Sequence, residues 1–474
     1  MRSQKTTSGG GRLLSAMQWL CQWNFGRFDR DEFKKFLRMG LIFTLIIGVY
    51  WTLRPLKDAV FIHLVDKLHL PYAKTVSVLA LLPIVVLYTR LLEKTSRERM
   101  FSIMSWFYGL TILAFAVCMF FAQGSAEEVA DRQGLVSWAT TALGYVWYVF
   151  VESFGSLVVA LFWAFASDTT VPDSAKRGFP FVVALGQIGG IICPYFIGGL
   201  PHRLGLSSDA LSMVILGGMT LSIAPCVKNF LHKTPKEQLV AFHGKNEIAV
   251  EKKQEPGFFE GFRLLISQKY LLGIFAAIFI YEVIVTIFDF NFKITAGLQY
   301  SGVALSSYLS WYGSCVNAVS LACLLLGISN ITRFMGVGIA LALMPLIVAG
   351  ALVGFLTTDT LEFLFILMVG SKAINYALNG PALKQLYIPT TPDVRFKAQA
   401  WIETFGSRAS KEAGSIFNMA LKPLQSILGP VAGRAQYLML SGYLGFGLVA
   451  LWFVTAIFLG RTFRKAVDNK KVVC

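Results

Sequence analysis

Residues 39–64 read MGLIFTLIIGVYWTLRPLKDAVFIHL. The stretch is long and apolar enough to cross a bilayer, which takes about 20 predominantly apolar residues. Yet its second half carries Arg54, Lys57 and Asp58. A charge in hydrocarbon costs about 2.5 kcal/mol or more on insertion scales, so such residues turn toward a bundle interior or a water-filled cavity. Spacings of three and four put all three on one helical face. A span with a charged inner face predicts a helical membrane protein with an internal polar site. A structural alternative stands beside it: the three residues can form an ion-pair cluster that only locks the fold.

Working outward, apolar segments of this kind recur along the chain. The first set is 39–64, 72–92, 100–122, 137–166, 178–199 and 208–231. The second is 270–295, 300–327, 332–356, 360–388, 404–429 and 435–460. Twelve expected spans fill most of the 474 residues and leave no room for a large soluble domain. Composition agrees: 55% of residues are hydrophobic, 15% are charged, and the mean hydropathy is +0.60. Soluble domains carry roughly a quarter charged residues, so a soluble enzyme and a disordered chain are both excluded. The 7 Cys are odd in number and sit mostly in apolar runs, as at Cys118, Cys193, Cys226, Cys315 and Cys323. They read as small apolar residues, not as a disulfide or metal framework.

The longest interruption, Lys233 to Lys269, separates two groups of six spans. The expected organisation is therefore a basic N-terminus over 1–38, a six-helix bundle over 39–232, a linker over 233–269, a second bundle over 270–460 and a basic tail over 461–474. No secretory signal is visible in 1–38. Asp29 to Phe36 reads either as an amphipathic interfacial helix or as a solvated approach to the first span.

The formal net charge is +16. On one side of the expected membrane lie the N-terminus, Lys94, Arg97, Arg99, Lys176, Arg177, the linker, Arg333, Arg395, Lys397 and the tail. The alternate loops hold only Lys67, Arg132, Arg203 and Arg434. This asymmetry places both termini in the cytoplasm, and it explains much of the basic balance without a nucleic-acid partner. Six plus six spans with a cytoplasmic linker is the plan of major-facilitator-like transporters, whose site lies between the halves near the midplane. The expected fold class is thus an all-α integral membrane protein of twelve transmembrane helices, most simply a monomer in a lipid bilayer.

Charges inside the expected spans are unevenly placed. Besides the first span, the fourth carries Glu152 and the seventh carries Glu282, Asp289 and Lys293. The tenth carries Lys372, Asn375, Asn379 and, past a break at Gly380-Pro381, Lys384. Spans one, four, seven and ten are equivalent helices of two repeats, and in this plan they line the central cavity. Bland readings remain open: Asp289 and Lys293 can satisfy each other at i, i+4, Lys372 can snorkel or pair, and Gly380-Pro381 can be a packing kink. Aromatic residues near these positions (Phe162, Trp163, Tyr281, Phe290, Tyr376) can stack on a base or simply pack. There is no Walker A run and no His-Glu-x-x-His, so neither ATP-driven transport, nor an enzyme, nor a bound cofactor is expected. Gly186-Gln187-Ile188-Gly189-Gly190 reads as close helix packing, not as a phosphate loop.

These residues resemble the nucleotide transporter family, the ATP/ADP translocases of obligate intracellular bacteria and plastids. Leu53-Arg54-x-x-Lys57-Asp58 is similar to the family's Leu-Arg-x-x-Lys-Asp, and Glu32 to Leu37 resembles its Glu-Leu-Lys-Lys-Phe-Leu. Glu152-Ser-Phe-Gly155-Ser156, Leu161-Phe162-Trp163 and Ala175-Lys176-Arg177 resemble a second signature. Leu386-Tyr387-Ile388-Pro389, Lys397-Ala398, Gly406-Ser407-Arg408 and Lys411 come in the family's order. The resemblance implies substrate contacts for Lys57, Glu152, Glu282 and a tenth-span lysine. The chain departs from the family over Asn375 to Gln385, where one lysine and a Phe-Asp pair are missing, and after Glu282, where Val283-Ile284-Val285-Thr286 replaces a Trp-Lys. The implied activity is therefore exchange of nucleotides, ATP and ADP or related ones, or of nucleotide-containing cofactors, by alternating access. Proton-coupled symport of a nucleotide or other organic anion is the rival. The implied location is a bacterial inner membrane, ahead of a plastid envelope. The candidate substrate-binding residues are Arg54, Lys57, Asp58, Glu152, Glu282, Asp289, Lys293, Asn375, Asn379 and Lys384.

Overall fold

The computed structural model describes residues 28–122, 135–235, 258–326, 335–358, 360–391, 398–399, 401–469 and 472–473. Among them every regular element is helical. Helix α1 runs Arg30–Leu64, α2 Leu70–Lys94, α3 Arg97–Ala122, α4 Leu135–Asp168, α5 Pro172–Cys193 and α6 Ala210–Lys233. In the second half α7 is Lys269–Gln299, α8 Gly302–Leu325, α9 Val337–Thr357, α10 Leu361–Ile374, α11 Ser407–Asn418 and α12 Pro430–Asp468. Most of the linker expected at 233–269, most of the N-terminus and part of the tail lie outside the described residues.

Ten helices among the described residues, α1 to α9 and α12, are long and apolar enough to cross a membrane. The tenth and eleventh apolar segments are interrupted. After α10 comes a π-helical turn, Asn375–Asn379, and then a short helix, Gly380–Gln385. Before α11 lies another π-helical turn, Ile402–Gly406, and after α11 a short helix, Leu421–Leu428. A proline at 381 has no N–H to donate to the preceding turn, in keeping with the departure from α-helical bonding over Asn375–Asn379, while the chain stays helical through Gly380.

The amphipathic stretch at Asp29 to Phe36 is the opening of α1 itself. Its cap is local: the Glu32 carboxylate accepts from the Asp29 backbone N–H at 3.4 Å, as in a capping box. Lys34 pairs with Asp31 at 2.9 Å and Arg177 reaches Glu32 at 3.1 Å. Lys35 is buried and donates to the Thr169 carbonyl, just past the end of α4. These contacts tie the start of α1 to α4 and α5.

Packing repeats with a period of six helices. Helix α1 lies along α5 and α3 along α6; in the same way α7 lies along α11 and α9 along α12. Small residues set the close approaches. A Cβ on Gly189 would collide with the Thr44 carbonyl, and one on Gly186 would stand 2.5 Å from Phe43 Cδ1. The glycine run in α5 is therefore helix packing, as its sequence suggests. In the second half a Cβ on Gly460 of α12 would stand 2.7 Å from Gly338 Cα of α9.

One apolar cluster is drawn from α1, α3, α4, α5 and α6, and another almost wholly from α7 to α12. The halves meet where α8 packs on α1 and α5, and where α11 packs on α2. A third cluster joins them: Phe61, Leu70, Ala73 and Tyr148 against Phe290, Ile294, Leu421 and Tyr437. It lies toward the end of the bundle where α1 and α7 finish. Beside it Lys422 donates to His69 Nε2 at 2.8 Å, and Ser306 donates to Asp209 at 2.7 Å. That end of the interface is sealed by apolar side chains and by polar bonds across the halves.

Candidate functional site

Between the halves, on the other side of that seal, is a cavity of about 280 Å³. Helices α1, α2 and α4 wall it from one half, and α7, α10 and α11 from the other. Seven basic and five acidic side chains line it. Such a density of charge in a helical bundle persists only when the groups satisfy one another or face water.

The first-span residues enter it as their spacing predicts. Lys57 is buried, contacts the Glu152 carboxylate of α4, lies 3.7 Å from Asp58 and stands 4.0 Å from the centre of the Tyr148 ring. Asp58, also buried, pairs with Lys293 of α7 at 2.7 Å. Lys293 pairs with Asp289 one turn earlier at 2.5 Å. Asp289 in turn holds Lys372 of α10 at 2.8 Å and Lys74 of α2 at 3.8 Å. The chain Glu152–Lys57–Asp58–Lys293–Asp289–Lys372 is continuous and crosses between the halves at Asp58–Lys293; a branch from Asp289 to Lys74 crosses them again. The intrahelical pairing of Asp289 with Lys293 is real, but it is one link of a longer network.

A second group lies along α7 and α11. Lys411 stands 3.7 Å from Glu282, and the Ser407 hydroxyl donates to Glu282 at 3.4 Å. The Thr75 hydroxyl of α2 donates to Glu412 of α11, a further bond across the halves. Arg54 lines the cavity with its guanidinium 5.2 Å from the Trp51 ring centre, and Arg408 lines it from α11. The cavity communicates with solvent: the Glu152 side chain is 40% exposed and that of Lys411 54%.

The structure thus brings Arg54, Lys57, Asp58, Glu152, Glu282, Asp289 and Lys293 to one cavity. Asn375, Asn379 and Lys384 are not among its lining. Asn379 donates to Asn375 at 2.8 Å within the π-helical turn, and Lys384 is exposed on the short helix beyond it. The reason is helical phase: a π turn inserts a residue and rotates the rest of the helix. The tenth-helix lysine that does face the cavity is Lys372, before the π-helical turn. Of the aromatics, Phe162 stacks on Phe43 at 4.5 Å, Tyr281 packs on Trp452, and Phe290 belongs to the sealing cluster. Tyr50 and Tyr148 line the cavity in their stead.

Sequence reading passed over Lys74, Arg408, Lys411 and Glu412 as cavity residues. Lys74 sits near the start of its apolar segment, where a charge looks like a loop residue; α2 begins at Leu70, so it lies a full turn inside. The signal for the others was present, since 408, 411 and 412 share the spacing that singles out 54, 57 and 58.

The sequence pattern of the TLC ATP/ADP transporter family matches residues 21–369. The chain belongs to the TLC ATP/ADP transporter family. Among its relatives is ADP,ATP carrier protein 1 of Rickettsia conorii, 24% identical over 93% of this chain and 95% of that one. Another is ADP,ATP carrier protein 2, chloroplastic, of Arabidopsis thaliana, 23% identical over 99% of this chain and 82% of that one. The fold of this TLC-family chain is similar to solved transporters. A bacterial homologue of the iron transporter ferroportin in an inward-facing state aligns with a TM-score of 0.61, at 12% identity, over 91% of this chain and 98% of that one. The D-xylose–proton symporter aligns at 0.59, with 14% identity, over 89% and 97%. The chain is an all-α, multi-pass membrane protein of major-facilitator-like architecture.

Proposed function

We propose that this TLC-family protein exchanges nucleotides, or nucleotide-containing cofactors, across a membrane by alternating access, with ATP/ADP-type antiport as its form. One observation carries the reading: the cavity between the halves has more basic than acidic side chains, and its ion-pair network crosses from one half to the other. Basic groups hold phosphate oxygens by charge-assisted hydrogen bonds. Arg54, Lys57, Asp58, Glu152, Glu282, Asp289 and Lys293 form the substrate site together with Lys74, Lys372, Arg408 and Lys411. The carboxylates balance the empty cavity and offer acceptors to base and sugar.

The termini face the cytoplasm of a bacterial cell, so the sealed end of the bundle faces outward and the cavity inward. Reversal requires the seal of Phe61, Tyr148, Phe290 and Tyr437 to part. The Asp58–Lys293 pair spans the same dividing line. After parting, Asp58 keeps Lys57 in its own half, whereas α7 and α10 keep Lys293 and Lys372 for the single carboxylate of Asp289. An anionic substrate supplies the missing negative charge. An empty carrier has no such compensation, so it stays put and transport runs as exchange. The cargo carries the compensating charge, which is why antiport is favoured over uniport.

Purified protein in liposomes tests this. Vesicles loaded with ADP should take up labelled ATP far faster than empty ones. Uptake that ignores internal loading and collapses with a proton uncoupler would replace exchange with symport.

A further inference from the structure

We propose that Arg54 and Arg408 form a two-arginine clamp, one guanidinium from each half, for the phosphate chain of the substrate; the assignment rests on the nucleotide reading above. The other five cavity cations are already engaged. Lys57 is held by Glu152 and Asp58, and Lys293 by Asp58 and Asp289. Lys372 and Lys74 share Asp289, and Lys411 faces Glu282. Four of the five carboxylates are in these ion pairs, and the fifth, Glu412, takes the Thr75 hydroxyl on one oxygen.

Arg54 and Arg408 differ. Among the described residues neither has a carboxylate within 4.0 Å or a hydrogen-bond acceptor, although both line the cavity. Five lining lysines thus share four carboxylates, and the two arginines are the lining cations that have no ion pair among the described residues. Arg54 lies against an indole ring at 5.2 Å. A cation–π contact draws on the ring's quadrupole and occupies no hydrogen-bond acceptor, so the guanidinium keeps its N–H donors for another partner.

Chemistry favours arginine at this position. The guanidinium stays protonated, is more weakly hydrated than an ammonium, and matches phosphate oxygens with two parallel N–H donors. A lysine freed from its carboxylate would leave a buried charge behind, whereas these two arginines bind without breaking any pair of the network. One sits on α1 and the other on α11, so a phosphate chain gripped by both ties the halves together. Ligands with phosphates in tandem gain most, and a nucleoside without phosphate gains nothing from the clamp.

The test is binding to the purified full-length protein, by calorimetry, of ATP, ADP, AMP and adenosine. The variants are Arg54→Gln, Arg408→Gln, Arg54→Lys and Arg408→Lys. Each Gln variant should weaken ADP binding by about ten- to a hundredfold, the usual effect of losing a hydrogen bond to a charged group, and leave adenosine binding unchanged. The Lys variants keep the charge but lose the paired donors, so they should weaken ADP by a smaller factor, about threefold or more. Where a Gln variant fails to insert, its Lys counterpart decides: weakened ADP binding supports the clamp and parent-level binding overturns it. Unchanged ADP binding in both Gln variants, or an equal loss for adenosine, overturns the clamp and leaves the nucleotide reading standing. A parent that binds none of the phosphate-bearing ligands removes both.

Discussion

Neutralising Asp58 should uncouple exchange. Asp58 is 2% exposed and its 2.7 Å contact with Lys293 is a direct charged link between the halves near the seal. In Asp58→Asn the link loses its charge while Lys293 retains Asp289 at 2.5 Å, so no ammonium is stranded and the bundle should still assemble. A hydrogen bond to a charged group contributes about 1.5–3 kcal/mol. If that energy holds the empty carrier in the sealed state, its loss should speed empty reorientation by roughly ten- to a hundredfold, since about 1.4 kcal/mol is a factor of ten. The assay is the ratio of labelled ATP uptake into ADP-loaded and empty proteoliposomes. The parent ratio should be large and that of Asp58→Asn should fall by one to two orders of magnitude, mostly through faster uptake into empty vesicles. An Asp58→Asn protein that inserts, binds ADP and keeps the parent ratio would refute the reasoning.

The same contacts imply other outcomes. Lys57→Ala removes the group between Glu152 and Asp58 and should weaken ADP binding by about one to two orders of magnitude, whereas Lys67→Ala, at the sealed end, should leave calorimetric affinity unchanged. Gly189→Ala places a methyl against the Thr44 carbonyl; overpacking of this kind costs about 1–3 kcal/mol, read as a lower melting temperature in detergent, and a neutral result would mean α1 and α5 separate easily. Single cysteines in the 233–269 linker and in the 123–136 loop should label from opposite sides of intact cells, the linker from inside; labelling of both from outside would overturn the topology.

The fold was legible because hydrophobicity and charge in this chain follow the bilayer. Loop lysines and arginines fall on alternate turns, and apolar runs of spanning length recur in two groups of six. The charged positions on α1, α4 and α7 were legible for the same reason: a buried charge in a span has few places to go. What the sequence concealed was phase. The π-helical turn at Asn375–Asn379, where a break at Gly380-Pro381 was expected, rotates Lys384 away and leaves Lys372 as the tenth helix's contribution. Partnership was hidden as well. Asp289 and Lys293 look like a self-sufficient pair at i, i+4, and only the folded bundle shows that Lys293 also reaches Asp58 across the halves, and Asp289 reaches Lys74 across them and Lys372 on α10. Lys74 was invisible because helix ends cannot be read to within a turn from hydropathy.

The central claim is that a nucleotide must enter for a nucleotide to leave. Its most direct measurement is efflux from proteoliposomes preloaded with labelled ADP, monitored after external ATP is added and after buffer alone. Release should begin on addition of ATP and be nearly absent with buffer. Equal release in the two cases, or release that ATP does not accelerate but an imposed proton gradient does, would contradict exchange.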